Sequence, residues 1–85
     1  MKISYAITVC NELDEIQKLI PFLLENRGLY DEIIVLYDNI NGDEKVLEYI
    51  CSHSGSIIVH GGNFTGNFAD WKNYLTSLCT GDYIF

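Results

Sequence analysis

Short, nearly continuous apolar runs alternate along this chain with segments whose apolar residues recur every three or four positions. That alternation constrains the fold more than any other feature. Ile3 to Cys10 (ISYAITVC) is β-branched and aromatic, of strand length, and suited to a strand covered on both faces. Asn11 then offers a helix cap, and Glu12, Asp14 and Glu15 fill a first turn where the helix dipole favours acids. Leu13, Ile16, Leu19, Ile20, Leu23 and Leu24 follow at helical spacing. Pro21 inside that pattern predicts a kink or a local break, and Gly28 a helix stop.

The second run is Glu32 to Tyr37 (EIIVLY), ending in the turn-rich Asp38-Asn39-Ile40-Asn41-Gly42-Asp43. Val46, Leu47 and Ile50 mark a second helix face, and Ser52 to Ser56 a loop. Ser56 to His60 (SIIVH) predicts the third strand, and Gly61 to Gly66 (GGNFTG) a glycine-rich loop. Phe68, Trp71, Leu75 and Leu78 give a third helix face, stopped at Thr80-Gly81. Asp82 to Phe85 (DYIF) begins a fourth strand. The order β-α-β-α-β-α-β with short loops implies one α/β domain, residues 1–85, with a parallel sheet and helices on both faces. The apolar ending Tyr83-Ile84-Phe85 leads to the expectation that this is the front part of a longer protein.

Composition excludes several function classes. Twelve acidic residues against five basic ones give a formal charge of -7, the wrong sign for nucleic acid or an anionic membrane surface. No apolar run approaches the roughly 20 residues needed to span a bilayer. Ile3 to Cys10 is too brief for a signal peptide core, so a cytoplasmic location is expected. Cys10, Cys51 and Cys79 are widely spaced, with no ligand cluster for zinc, and read as reduced, buried thiols.

In open parallel α/β sheets, ligands bind beyond the carboxyl ends of the strands. The rule selects Thr8 to Glu12, Tyr37 to Gly42, and His60 to Asn67. Thr8 and Asn11 can hydrogen-bond a base or ribose edge, or be an ordinary strand residue and a helix cap. Asp38 can accept from a ribose hydroxyl or a base N–H, or close an Asp-Asn turn on its own backbone. Lys72 can approach a diphosphate or simply face solvent. The glycine-rich segment lacks the Gly-Lys-Ser/Thr ending of a phosphate-binding P-loop. The first βα turn, Cys10-Asn11-Glu12, has no glycine, which argues against dinucleotide binding of the usual kind. Phe68 and Trp71 read as core, and His53 and His60 as ordinary loop or strand residues.

Four of these stretches, in order, resemble family 2 glycosyltransferases. Ala6 to Glu12 (AITVCNE) resembles the opening strand and turn of that family, and Glu32 to Asn39 (EIIVLYDN) its apolar strand ending in two acids. Asn63 to Ala69 with Lys72-Asn73 resembles the start of its third helix. Thr80 to Phe85 (TGDYIF) is similar to the stretch that runs into its metal-binding Asp-x-Asp motif. The resemblance implies a Rossmann-like, three-layer GT-A fold, here partial, with sheet order 3-2-1-4. It implies an inverting transferase using a nucleotide-diphosphosugar, most naturally a UDP-type donor. Thr8, Asn11, Glu12, Asp38 and Lys72 would be the residues on the donor nucleotide. It also implies a divalent metal, Mn or Mg, for the full enzyme, with its acids beyond Phe85 and none held here, and no catalytic residue in this portion. Thr8, Cys10 and Tyr37 depart from the residues common in the family, and a ring at Tyr37 could stack on the base instead. A different reading of the same residues is a stand-alone, non-catalytic binding or dimerisation module, with a second copy covering its exposed apolar surface.

Overall fold

The computed structural model describes residues 1–85. Seven elements follow one another: β1 (Ile3–Val9), α1 (Leu13–Asn26), β2 (Glu32–Asp38), α2 (Glu44–Ser52), β3 (Ile58–Gly62), α3 (Phe68–Leu78) and β4 (Tyr83–Ile84). The four strands form one sheet in the order β3-β2-β1-β4, and every pairing is parallel. The fold is α/β and Rossmann-like, with the strand order that the resemblance implies. No helix is long and apolar enough to cross a membrane.

Strand parity divides the molecule into two layers around the sheet. In β1 and β2, the partners Tyr5–Ile33, Ile7–Val35 and Val9–Tyr37 share one face, while Ser4–Glu32, Ala6–Ile34 and Thr8–Leu36 share the other. On the first face α1 and α2 contribute Ile16, Ile20, Val46 and Ile50 to a core of nine buried residues with Val9, Ile33, Val35, Tyr37 and Ile57. On the second face α3 contributes Leu75 to a core of only three, with Ile34 and Leu36. The second layer is therefore thin, and the thinness has a cause. β1 presents large side chains to the α1/α2 layer but only Ser4, Ala6 and Thr8 to the α3 layer. Small side chains leave open space beside α3 where large ones would have filled it.

The connection from α3 to β4 is held by polar contacts rather than apolar ones. Glu32, 8% exposed, accepts from the Ser4 hydroxyl at 2.6 Å, the Thr80 N–H at 2.7 Å and the Thr80 hydroxyl at 2.9 Å. The Lys2 ammonium lies 3.3 Å from the same carboxylate. Burial alone would push this carboxyl up. The hydrogen bonds from Ser4, Thr80 and Lys2 outweigh burial and hold it at about 2. Gly81 N–H donates to the Ser4 hydroxyl at 2.8 Å, and a Cβ on Gly81 would fall 2.6 Å from that oxygen. Glycine is required here for close approach, not for an unusual dihedral.

Several sequence expectations are corrected. Helix α1 runs unbroken through Pro21. Its cap position is Glu12, not Asn11, and Glu12 makes no side-chain cap bond. Gly28 does not adopt the left-handed conformation of a helix stop; Arg27 is already extended, and the Asp31 carboxylate accepts from the Gly28 N–H at 2.7 Å. The third strand is shifted two residues along, because Ser56 and Ile57 donate back to the His53 carbonyl in a turn. Gly61 and Gly62 consequently belong to β3, opposite Tyr37 and Asp38, rather than to a loop. His60 sits within β3, and His53 ends α2 with its ring 4.7 Å from that of Tyr49. None of the three free thiols is fully buried, and Cys51 is exposed.

Candidate functional site

A cleft of about 560 Å³ opens on the α3 face at the carboxyl ends of β1 and β2, where the sheet rule places ligands. Its size is that of a small-molecule site. Ala6 and Thr8 line it from β1, Asp38 and Asn41 from the end of β2 and the turn after it, Phe64 from the β3–α3 loop, and Phe68, Trp71 and Lys72 from the start of α3. Thr8 is exposed because α3 does not reach over it.

Asp38 is the best-defined group in the cleft. It is 5% exposed and closes a turn. Its Oδ1 accepts from the N–H groups of Ile40 (2.9 Å) and Asn41 (3.1 Å), and its Oδ2 from the Asn41 amide (3.0 Å). Burial opposes the charge, but the Asn41 side chain, the N–H groups of Asn41 and Ile40 and a further pull from the Phe64 N–H outweigh it. The carboxyl stays below its usual range and is ionised at neutral pH. A carboxylate has about four acceptor positions. Three are filled by hydrogen bonds of ordinary geometry, so Asp38 both makes the Asp-Asn turn and keeps acceptor capacity on Oδ2.

The other site residues expected from the sequence fall as follows. Glu12 lines the cleft, but its carboxylate folds back to accept from the Cys10 N–H. Lys72 lines it from α3 and makes no ion pair; the one ion pair in the molecule joins Lys2 and Glu32. Asn11 is exposed, lies outside the cleft lining and caps nothing. Cys10 lines the cleft, and burial, then the charges of Asp38 and Glu12, push its thiol up, which disfavours the nucleophilic thiolate.

Sequence reasoning missed the aromatic side of the cleft. Phe68 is 71% exposed and so is not the core residue its helical spacing predicts, whereas Trp71, half-buried, packs against the small Ile34–Leu36–Leu75 core as expected and also lines the cleft. The Phe64 ring lies 4.9 Å from Phe68 and 5.5 Å from Trp71, giving three contiguous rings. The signal that could have found this wall was in β1. Its alternation of large residues with Ser4, Ala6 and Thr8 means that the α3 face cannot bury a full row of aromatics.

No group of three or more His, Cys, Asp and Glu residues is placed to hold a metal ion. No family model, no curated protein and no solved structure matches the chain.

Proposed function

We propose that this chain is the donor-nucleotide-binding part of an inverting family 2 glycosyltransferase, with a partial GT-A fold, that uses a UDP-type nucleotide-diphosphosugar in the cytoplasm. The observation that carries the reading is Asp38, a buried, ionised carboxylate with unfilled acceptor capacity at the carboxyl end of β2. It is suited to a base N–H or a ribose hydroxyl. Thr8 is available to the base edge, and Lys72 is the one cation in the cleft that can meet a phosphate. Glu12 shapes the first turn, and Asn11 stands beside it.

The cleft favours recognition over chemistry. Glu12 and Asp38 are engaged in their own turns, and the Cys10 thiol is held protonated by its surroundings. None of the three is set up as a general base or nucleophile. The chain on its own is therefore expected to bind the donor nucleotide without turnover. Calorimetric titration of UDP, together with an assay for sugar release from a UDP-sugar, tests both halves. Absence of UDP binding contradicts the first, and sugar transfer by this chain contradicts the second.

The exposed side chains of Tyr83, Ile84 and Phe85 on the open β4 edge favour a second reading, a module that pairs with another copy of itself. Sedimentation of the chain over a range of concentrations decides it. A monomer throughout removes that reading.

A further inference from the structure

An edge contact to Asp38 leaves the aromatic wall of the cleft without a role, and leaves open which part of a nucleotide carries the affinity. Three observations bear on both. First, Phe64, Phe68 and Trp71 form one contiguous aromatic surface, with Phe68 left 71% exposed at the first turn of α3. An exposed phenylalanine with its ring against another ring is a poor core residue and a good stacking platform, because every nucleobase presents a π-face. Second, the wall is backed by bare strand backbone. A Cβ on Gly62 would fall 3.0 Å from the Trp71 ring and 3.2 Å from that of Tyr74, so the indole rests close on the strand backbone and would have to shift by a few tenths of an ångström for any larger residue. Third, the charged groups lining the cleft are Glu12, Asp38 and Lys72, two negative against one positive. In a chain of net charge -7, a cleft of that sign does not draw in a diphosphate by its field.

Resting on the nucleotide reading above, we infer that the cleft recognises the nucleoside rather than the diphosphate, with the base stacked on the Phe64–Phe68–Trp71 wall and its N–H edge turned to Asp38. Gly62 is then a positioning residue, acting through Trp71. The inference predicts that removing the phosphates changes little. It also predicts that trimming the wall weakens uridine and UDP alike.

Trp71 is the only tryptophan, so its emission reports on this wall alone. Uridine and UDP are titrated separately into the 85-residue chain and into Phe68→Ala, a variant at an exposed position that the fold tolerates. Calorimetry runs in parallel as a readout independent of the indole. The expected result is saturable quenching by both ligands, with affinities within about threefold of each other. Phe68→Ala should weaken both by about tenfold, in line with the loss of one aromatic stacking partner. Gly62→Ala should shift the emission of the free protein and reduce the quenching. UDP binding more than about tenfold tighter than uridine overturns the inference while leaving the nucleotide reading standing. So does UDP binding seen by calorimetry that neither quenches Trp71 nor responds to Phe68→Ala. If neither ligand binds by either method, the nucleotide reading falls and the inference falls with it.

Discussion

Strand β2 carries a carboxylate at each end, Glu32 and Asp38. Both are buried, and burial pushes both carboxyls up while hydrogen bonds hold both down. They differ in where their partners come from. Glu32 is bonded by residues distant in the chain: Ser4, 28 positions away, and Thr80, 48 positions away, with Lys2 beside them. It joins β1, β2 and the α3–β4 connection into one closed network. Asp38 takes its three hydrogen bonds from its own turn, within three residues, with a weaker pull from the Phe64 N–H, and lines an open cleft. A buried charge whose partners are long-range is there to hold the fold together. One whose partners are local, beside empty space, retains capacity for a ligand.

Breaking the long-range network should cost the most. Glu32→Ala leaves the Ser4 hydroxyl proton and the Thr80 N–H without their acceptor and removes the ion pair to Lys2, and should lower the unfolding free energy by about 3–5 kcal/mol in urea denaturation. A loss below about 1 kcal/mol would mean that the network is not what anchors β4. Acid should reach the same network without mutation. The Glu32 carboxyl is lowered from 4.5 unfolded to about 2 folded. Its contribution, about 3 kcal/mol, is therefore fully present above pH 4.5 and is lost as the pH falls toward 2. Unfolding free energies measured from pH 6 to pH 2 should fall along that course, and the fall should be blunted in Glu32→Gln.

Gly81→Ala is the next largest. Its Cβ would meet the Ser4 hydroxyl at 2.6 Å and the Ser4 nitrogen at 2.7 Å, so the α3–β4 connection must move. The expected cost is about 2 kcal/mol, read from the same denaturation curves. Asp38→Asn should cost least. The side-chain oxygen still accepts from Ile40 and Asn41, while the bond from the Asn41 amide is lost and the pull on the Phe64 N–H weakens, at about 1 kcal/mol. UDP binding, by contrast, should fall at least tenfold in calorimetry, because an amide N–H replaces the acceptor offered to the ligand.

The fold was legible in the sequence because both signals behind it are strong. Apolar runs of strand length and helical spacing survive local exceptions, and the parallel order followed from short connections. The exceptions were local. Pro21 is tolerated in mid-helix, and β3 begins two residues late because the His53 turn absorbs Ser56 and Ile57. The site was only partly legible. Thr8, Glu12, Asp38 and Lys72 follow from their position after strands or on α3, and all four line the cleft. Phe64, Phe68 and Trp71 did not, since helical spacing says that a face is apolar but not that anything covers it. Glu32 was unreadable in its role for a similar reason. Its partners Ser4 and Thr80 meet it only once β1, β2 and the end of α3 are in register.

The contrast between the two carboxylates reduces to one measurement, the shift that saturating UDP produces in the urea midpoint of Glu32→Gln and of Asp38→Asn. The account predicts a lowered midpoint with the ligand shift retained in Glu32→Gln, and a nearly unchanged midpoint with the shift abolished in Asp38→Asn. A full ligand shift in Asp38→Asn, or its loss in a folded Glu32→Gln, would contradict it.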